Sequence, residues 1–498
     1  MLARELQQGK NYKVKPVDTF LWHDYETFGA NPIADRPAQF AAQRTDAELN
    51  PVEDPVVWYC APSNDVLPHP MASLITGITP QEASAKGVRE TDFAQNILDE
   101  MSRPGTCSAG YNSIRFDDVI TRHLLYRNLR DAYEREYRND NSRWDLIDLA
   151  RMCYALRPEG IEWPMHEPGK PSFRLEDICE ANGISHIGAH DALADVEATI
   201  GLARLLKKAQ PKLFDWALQM RDYKRVSKLL DPVDPTPLLH TSAKIPAVRG
   251  CTAMVLPLAV MPNRPKSTIV FDLSADPTPL IHESADVIQD LVFTAADDLP
   301  EGIERLPLKA IHGNHIPMLA PLGTLSGVDT DRIKMDPEQC KQHARQLLTS
   351  LETIREKVVK VFAASGGAFG ESTDPDRMLY SGGFFSGADR HLMKKILVVP
   401  PAQLGGHLWS FQDNRLPLML FRYRARNFPE TLSMEENRAW DEDRRIRLIE
   451  TEDPDYFTLP GFRNAVRELR EMKKEEPESL EILDKLEAWV IDCGIAGL

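Results

Sequence analysis

Asp24 and Glu26 close a run of aromatic and apolar residues, Phe20-Leu21-Trp22-His23-Asp24-Tyr25-Glu26-Thr27-Phe28, and Gly29, Asn31 and Pro32 then stop it. The pattern predicts a buried strand. Alternate side chains of a strand share a face, so the two carboxylates point the same way. Neighbouring carboxylates at the end of an apolar strand repel each other and lose solvation unless a cation lies between them. Hard oxygen donors of this kind suit Mg²⁺ or Mn²⁺ better than zinc. Taken alone, the run also allows an exposed strand end with two solvated acids.

Two further stretches carry groups able to join them. Gly110-Tyr111-Asn112-Ser113-Ile114-Arg115-Phe116-Asp117-Asp118 reads as the end of one strand and the start of a helix. Aspartate at a helix start caps it or complements its dipole, so one of the pair is expected to cap and the other to remain for a metal. In Gly188-Ala189-His190-Asp191-Ala192-Leu193-Ala194-Asp195, Asp191 is placed as the helix cap. His190 then lies just outside the helix and Asp195 about one turn inside it, so both can face one pocket. An imidazole titrating near neutrality beside a metal site is a general base for water. A solvated surface histidine is the plainer reading of His190 by itself.

Positioning these groups requires a layered α/β frame. Strand-like and helix-like patterns alternate as far as about Leu213. Val56-Val57-Trp58-Tyr59-Cys60 reads as the neighbour of the acid-bearing strand, and Thr106 to Tyr111 as a further short strand. Helical spacing covers Thr91 to Met101, Val119 to Asn128, Phe173 to Ala181 and His190 to Lys208. Leu74-Ile75-Thr76-Gly77-Ile78-Thr79-Pro80 reads as an apolar turn leading into a short helix. The proline-punctuated Asp231 to Pro237 is a linker, since proline denies the chain both helix and sheet pairing. Beyond it Thr252 to Val260, Ser267 to Leu273 and Ala310-Ile311 suggest a small β-rich domain. Met335 to Ala364 returns to helical spacing, Ser365 to Gly370 is a glycine-rich break, and Arg463 to Ile491 reads as packed amphipathic helices.

At 498 residues the chain exceeds one typical core, so two or three domains are expected. A net charge of −16 argues against a general polyanion binder, though a local basic groove remains compatible with it. The seven cysteines are scattered without a C-x-x-C pair, the pattern of reduced thiols in a cytoplasmic protein. Met1 to Lys15 lacks the apolar stretch of a signal peptide, and no apolar run is long enough to span a bilayer. Neither a G-x-x-x-x-G-K-[ST] phosphate loop nor an H-E-x-x-H motif is present.

Together D-x-E, N-x₃-F-D and H-D-A-x-A-D resemble the motifs of the DEDD exonucleases, in the subclass whose last motif is His-x₄-Asp. Phe20 to Ala42, Asn141 to Gly160, Pro171 to Asp177 and Phe421 to Leu432 are similar to the bacterial exonuclease I family, and the likeness spans essentially the whole chain. It implies an α/β RNase-H-like exonuclease domain (mixed sheet flanked by helices) over residues 16–210, a small SH3-like β domain over 211–362 and an all-α C-terminal domain over 366–498. It implies processive 3′→5′ degradation of single-stranded DNA to 5′-mononucleotides, in repair and recombination. Two Mg²⁺ ions, for which Mn²⁺ can substitute, would lie about 4 Å apart among Asp24, Glu26, Asp117 and Asp195, with His190 as base. For substrate contacts it points to Glu26 and Thr27 at the terminal nucleotide, Leu74, Ile75 and Thr76 against the last bases, and Arg174 on a phosphate. Arg122 is a further basic candidate, with Arg115, Arg143 and Arg151. Arg422-Tyr423-Arg424-Ala425-Arg426-Asn427-Phe428 interleaves bases with aromatics, which suits single strands, with salt bridges to neighbouring domains an equal reading. The implied partner is single-stranded-DNA-binding protein through its acidic C-terminal tail, and the implied state is a monomer. An RNA-trimming or proofreading exonuclease and a non-catalytic single-strand-binding scaffold are the competing readings.

Overall fold

The computed structural model describes residues 17–188, 190–364, 372–454 and 456–497. The chain divides into two compact units, one comprising Asp18–Ser142, His186–Glu197 and Glu371–Leu498, the other including Arg143–Ser185 and Ala198–Gly370. The first unit holds a sheet whose strands run β3-β2-β1-β4. β1 (Thr19–Thr27) pairs antiparallel with β2 (Pro37–Thr45) and parallel with β4 (Thr106–Gly110), and β2 pairs antiparallel with β3 (Val56–Tyr59). The strand read from Val56 to Cys60 is therefore not the neighbour of β1. β2 takes that place, and its Pro-Ala-Gln-Phe-Ala-Ala-Gln-Arg-Thr sequence hides a strand buried at every position. Small alanines and pairing-competent glutamines give it no alternating apolar signal.

Helices α1 (Pro70–Thr76), α2 (Pro80–Lys86), α3 (Glu90–Met101) and α4 (Asp117–Arg127) follow in this unit, as does the start of α5 (Ala192–Ala209). Leu21 and Tyr25 of β1 and Phe40 and Ala42 of β2 pack with Phe93, Ile97, Ile120 and Leu124 of α3 and α4 in one buried cluster. That cluster uses one face of β1. By strand alternation Phe20, Trp22, Asp24 and Glu26 belong to the other.

The C-terminal part of this unit is helical, with Leu416–Asn427, Met434–Arg445, Leu459–Met472 and Pro477–Asp492 the longest helices there. Its arginines decide the alternative left open by the sequence. Arg422 meets Asp374 at 2.5 Å and Asp443 at 2.8 Å, Arg424 meets Glu436 at 2.5 Å, and Arg426 meets Asp65 at 2.8 Å and Asp376 at 2.5 Å. All three side chains are buried. They are ion-pair partners inside the unit, not a surface for single strands. Charges this deeply buried must be paired, because desolvation costs each several kcal/mol.

His123 lies against this charged region, completely buried, its ring edge-on to Tyr380. Burial first, then the Arg127 charge, pushes its pKa down from 6.5 to about 3. The folded state thus holds it neutral while the unfolded chain protonates it near 6.5, so its contribution to stability is complete above 6.5 and is lost as pH falls toward 3. Between pH 7.5 and 5 the loss from this one residue amounts to about 2 kcal/mol. Urea midpoints measured across that range are expected to fall more steeply for the unsubstituted protein than for His123→Asn.

The second unit contains an antiparallel five-stranded sheet, β5 (Leu238–Thr241), β6 (Thr252–Val260), β7 (Ser267–Asp272), β8 (Leu308–His312) and β9 (Met318–Pro321), in the order β8-β7-β6-β5-β9. Helices Pro337–Thr349 and Leu351–Ala364 follow. The expected β-rich domain is present, and sequence reading missed β5 and β9, four-residue strands with too few residues to show a period. The Met1 to Lys15 and Ser365 to Gly370 readings lie outside the described residues. All seven cysteines are free thiols, and all but Cys493 are buried. No helix among the described residues is long and apolar enough to cross a membrane.

Candidate active site

Everything the three motifs contribute falls within the first unit. The parallel pairing of β1 with β4 runs from Thr19/Thr106 to Trp22/Ala109 and then stops. Beyond it the Tyr25 N–H has no strand partner on that side, and Asp117 supplies one: its Oδ1 accepts from Tyr25 N at 3.1 Å. The Asp117 carboxylate is thereby set against the backbone between Asp24 and Glu26. Gly110 makes the approach possible, since a Cβ there would meet Ser113 Cβ at 2.8 Å and the His23 carbonyl at 2.9 Å. Neither acid of the Asp117-Asp118 pair is the cap residue, a position held by Phe116. Asp118 instead pairs with buried Arg135 at 2.6 Å.

At the start of α5 the expected cap is present, with Asp191 Oδ1 accepting from the Leu193 and Ala194 N–H groups at 3.1 and 3.3 Å. His190 precedes it in the left-handed region, at φ +68°. Ligand atoms of Glu26, His190 and Asp195 lie within 4.8 Å of one another. Asp24 and Asp117 adjoin this group, as their electrostatics show. Burial first, then the charges of Asp117, Glu26 and Asp195, hold Asp24 well above the ordinary carboxylate range. Burial, then Asp195 and Asp117, pushes Glu26 from 4.5 up to about 9. Four carboxylates this close cannot all ionise without a compensating positive charge. An oxygen-rich donor set that is strained when empty fits a hard divalent cation.

The other residues singled out by the sequence are placed as follows. Thr27, 8 % exposed, donates from Oγ1 to the Gly29 carbonyl at 2.6 Å. Leu74, Ile75 and Thr76 form the end of α1 rather than part of a turn, and the short helix expected after them is α2. Leu74 packs inward against the Leu459, Phe462 and Leu483 cluster, while Ile75 is half exposed. Thr76 Oγ1 accepts from the Ile78 N–H at 3.1 Å. Arg122 is buried, its Nε and Nη2 bound to Glu136 at 2.7 and 3.1 Å and its Nη1 to the Tyr380 hydroxyl at 3.3 Å. Its guanidinium is committed within the fold. Arg174 belongs to the second unit, exposed, with Glu176 at 3.4 Å. Arg143 and Arg151 are in that unit too, Arg151 bound to Asp148 at 2.5 Å, while Arg115 is exposed in the first.

Sequence reading missed His186, whose Nε2 is hydrogen-bonded to Asp195 Oδ1. Its signal was a second histidine four residues before His190. It also missed Gln39, for which a buried amide in a featureless strand gave no signal.

Three family models match the chain in succession: Exonuclease over residues 21–203, Exonuclease I SH3-like domain over 221–364 and Exonuclease I C-terminal domain over 373–493. Exodeoxyribonuclease I of Escherichia coli (strain K12) is 44% identical over 472 residues, 95% of this chain and 97% of that protein. The zinc-ion-bound form of an E. coli ExoI–ssDNA complex superimposes with a TM-score of 0.88 at 44% identity, covering 96% of this chain and 99% of that one. An ExoI/SSB-Ct complex does so with a TM-score of 0.87 at 43% identity, covering 96% and 100%.

Proposed function

We propose a division of labour for this chain, which belongs to the exonuclease I family. It is a 3′→5′ exonuclease on single-stranded DNA, built from an α/β exonuclease domain, an SH3-like β domain and a helical C-terminal domain. Our boundaries for these are 16–210, 211–362 and 366–498. The observation that carries the reading is the convergence of Glu26, His190 and Asp195 on one point, with Asp24 and Asp117 adjoining.

In this reading Asp24, Glu26, Asp117 and Asp195 would hold two divalent cations, Mg²⁺ in the working enzyme and Mn²⁺ as a substitute. When bound, such ions supply charge that stabilises the phosphoryl transition state and acidify a water. His190 takes the proton of the water that attacks the terminal phosphorus. The bond from phosphorus to the 3′ oxygen of the preceding nucleotide breaks, and a 5′-mononucleotide leaves. Thr27 and Glu26 flank the terminal nucleotide. Of the Leu74-Ile75-Thr76 group, Ile75 is the side chain presented outward for an apolar contact with the last bases. Arg174, exposed, is the phosphate contact, and Arg122 acts through the fold that it ties together. Single-stranded-DNA-binding protein engages the enzyme through its acidic C-terminal tail. The enzyme works as a monomer, and repair and recombination are the processes such an activity serves.

The test uses oligonucleotides labelled at the 3′ or the 5′ end, DNA and RNA, single- and double-stranded, with Mg²⁺ or with EDTA. Labelled mononucleotide is expected at once from 3′-labelled single-stranded DNA, and only with a divalent cation present. Early release from the 5′ label, internal cleavage, or turnover in EDTA would contradict the assignment.

A further inference from the structure

Gln39 is 1 % exposed, in the middle of a strand buried at every position. It stands opposite Glu26 in the β1–β2 ladder and opposite Tyr59 in the β2–β3 ladder. Directly opposed residues project from the same face of a sheet, so the carboxamide rises on the face that carries Asp24 and Glu26. Both its ends are engaged there. Oε1 accepts from the Ala192 N–H at 3.1 Å, while Nε2 donates to the Tyr59 hydroxyl at 2.9 Å and, more weakly, to Asp191 Oδ2 at 3.4 Å. The Ala192 N–H is one of the donors that a helix start leaves without an intrahelical partner. Only an oxygen can receive it, which fixes the orientation of the amide.

The bonds fall immediately after His190, whose φ of +68° is a conformation non-glycine residues seldom hold. Such a conformation persists where the surroundings over-determine it. Asp191 and Ala192 are where that fixing is supplied, by the cap on one side and by Gln39 on the other. A water-filled gap in place of the amide would leave Ala192 N–H and Asp191 free to drift, and with them His190 and the first turn carrying Asp195.

We propose that Gln39 is a positioning residue that ties the junction between His190 and α5 to β2, and so sets where His190 and Asp195 stand relative to Glu26. It does no chemistry itself, and the inference rests on the reading of those three residues as the reacting site. Gln39→Met keeps the length of the side chain and removes both polar ends. Its kcat on an oligo(dT) substrate is expected to fall by about 10- to 100-fold, and its Mn²⁺ affinity by a similar factor, as when partners behind a metal ligand are lost. KM is expected to stay within about twofold, because uniform binding is untouched. In the metal-free protein, amide hydrogen exchange of the 186–195 segment should quicken while α3 and α4 keep their protection. Tyr59→Phe leaves Gln39 in place but frees its Nε2, and should shift the same segment in the same direction by less. Unchanged exchange at 186–195 in Gln39→Met overturns the proposal. So does accelerated exchange across α3 and α4 in both variants, which would make Gln39 merely a packing residue. If the unsubstituted protein neither bound Mn²⁺ nor digested DNA, the functional reading would fall, and the exchange measurement would still decide whether Gln39 fixes the junction.

Discussion

Glu26→Gln is expected to abolish most turnover and, in the same stroke, to make the metal-free protein more stable. The two effects have one cause. Glu26 sits 8 % exposed among Asp195, Asp117 and Asp191, and burial with those charges pushes its pKa from 4.5 to about 9. A carboxyl whose folded pKa is raised contributes stability that is complete below its unfolded value and is lost as pH climbs through the folded one. In EDTA the protein should therefore lose stability between pH 4.5 and 9, at a rate approaching 1.4 kcal/mol per pH unit from this residue alone. At pH 7 the accumulated cost is on the order of 3 kcal/mol. Glutamine keeps the shape without the titrating proton and escapes that cost. It also forfeits a carboxylate donor to the cation, and losing about 4 kcal/mol of transition-state stabilisation corresponds to roughly a thousandfold in kcat. Urea titrations in EDTA at pH 5, 7 and 8.5, beside single-turnover digestion in Mg²⁺, measure both. A Glu26→Gln protein that is less stable than its parent at pH 8.5 would show that the carboxylates are not in mutual conflict. Adding Mg²⁺ to the parent should flatten its pH dependence, since a cation that binds only the folded state supplies the missing charge.

The same clash of carboxylates explains why the candidate site is legible in the sequence. Asp24 and Glu26 at the end of an apolar strand break the rule that charges avoid such places, and rule-breaking of that kind is concentrated at functional sites. The helix start at Asp191 was equally plain, because a capping aspartate before an apolar-periodic run has a local cause. The neighbour of β1 was not. A strand is a pairing partner by virtue of what lies beside it, and Pro37–Thr45 carries little of the β-branched alternation that announces a strand by itself. The consequence reached the site, for Gln39 is invisible unless β2 is known to lie against β1. The arginines at 422, 424 and 426 mark a choice that the sequence leaves open. Their interleaving with aromatics suits a nucleic-acid surface and salt bridges equally, because composition cannot tell a solvated charge from a paired one. Asp65, Asp374, Asp376, Asp443 and Glu436, which neutralise them, are scattered through the chain and become partners only on folding.

His190→Ala is expected to leave DNA binding nearly intact and to lower kcat by about 10²- to 10⁴-fold, the range that a general base contributes. The geometry separates the two roles. The imidazole lies within 4.8 Å of the Glu26 and Asp195 ligand atoms, where it can reach a water attacking the terminal phosphate, yet it belongs to none of the carboxylates that would hold the cations. Removing it subtracts a proton acceptor and none of the four carboxylates, so affinity for a polyanion has no reason to change. A loss confined to kcat marks an interaction made only in the transition state. Were His190 chiefly a metal ligand, the variant would show weakened Mn²⁺ binding and its activity would recover at high Mn²⁺. Fluorescence anisotropy of labelled oligo(dT) in Ca²⁺, single-turnover rates at neutral pH and a Mn²⁺ titration together tell these apart. Full turnover in the alanine variant at neutral pH would remove His190 from the chemistry altogether.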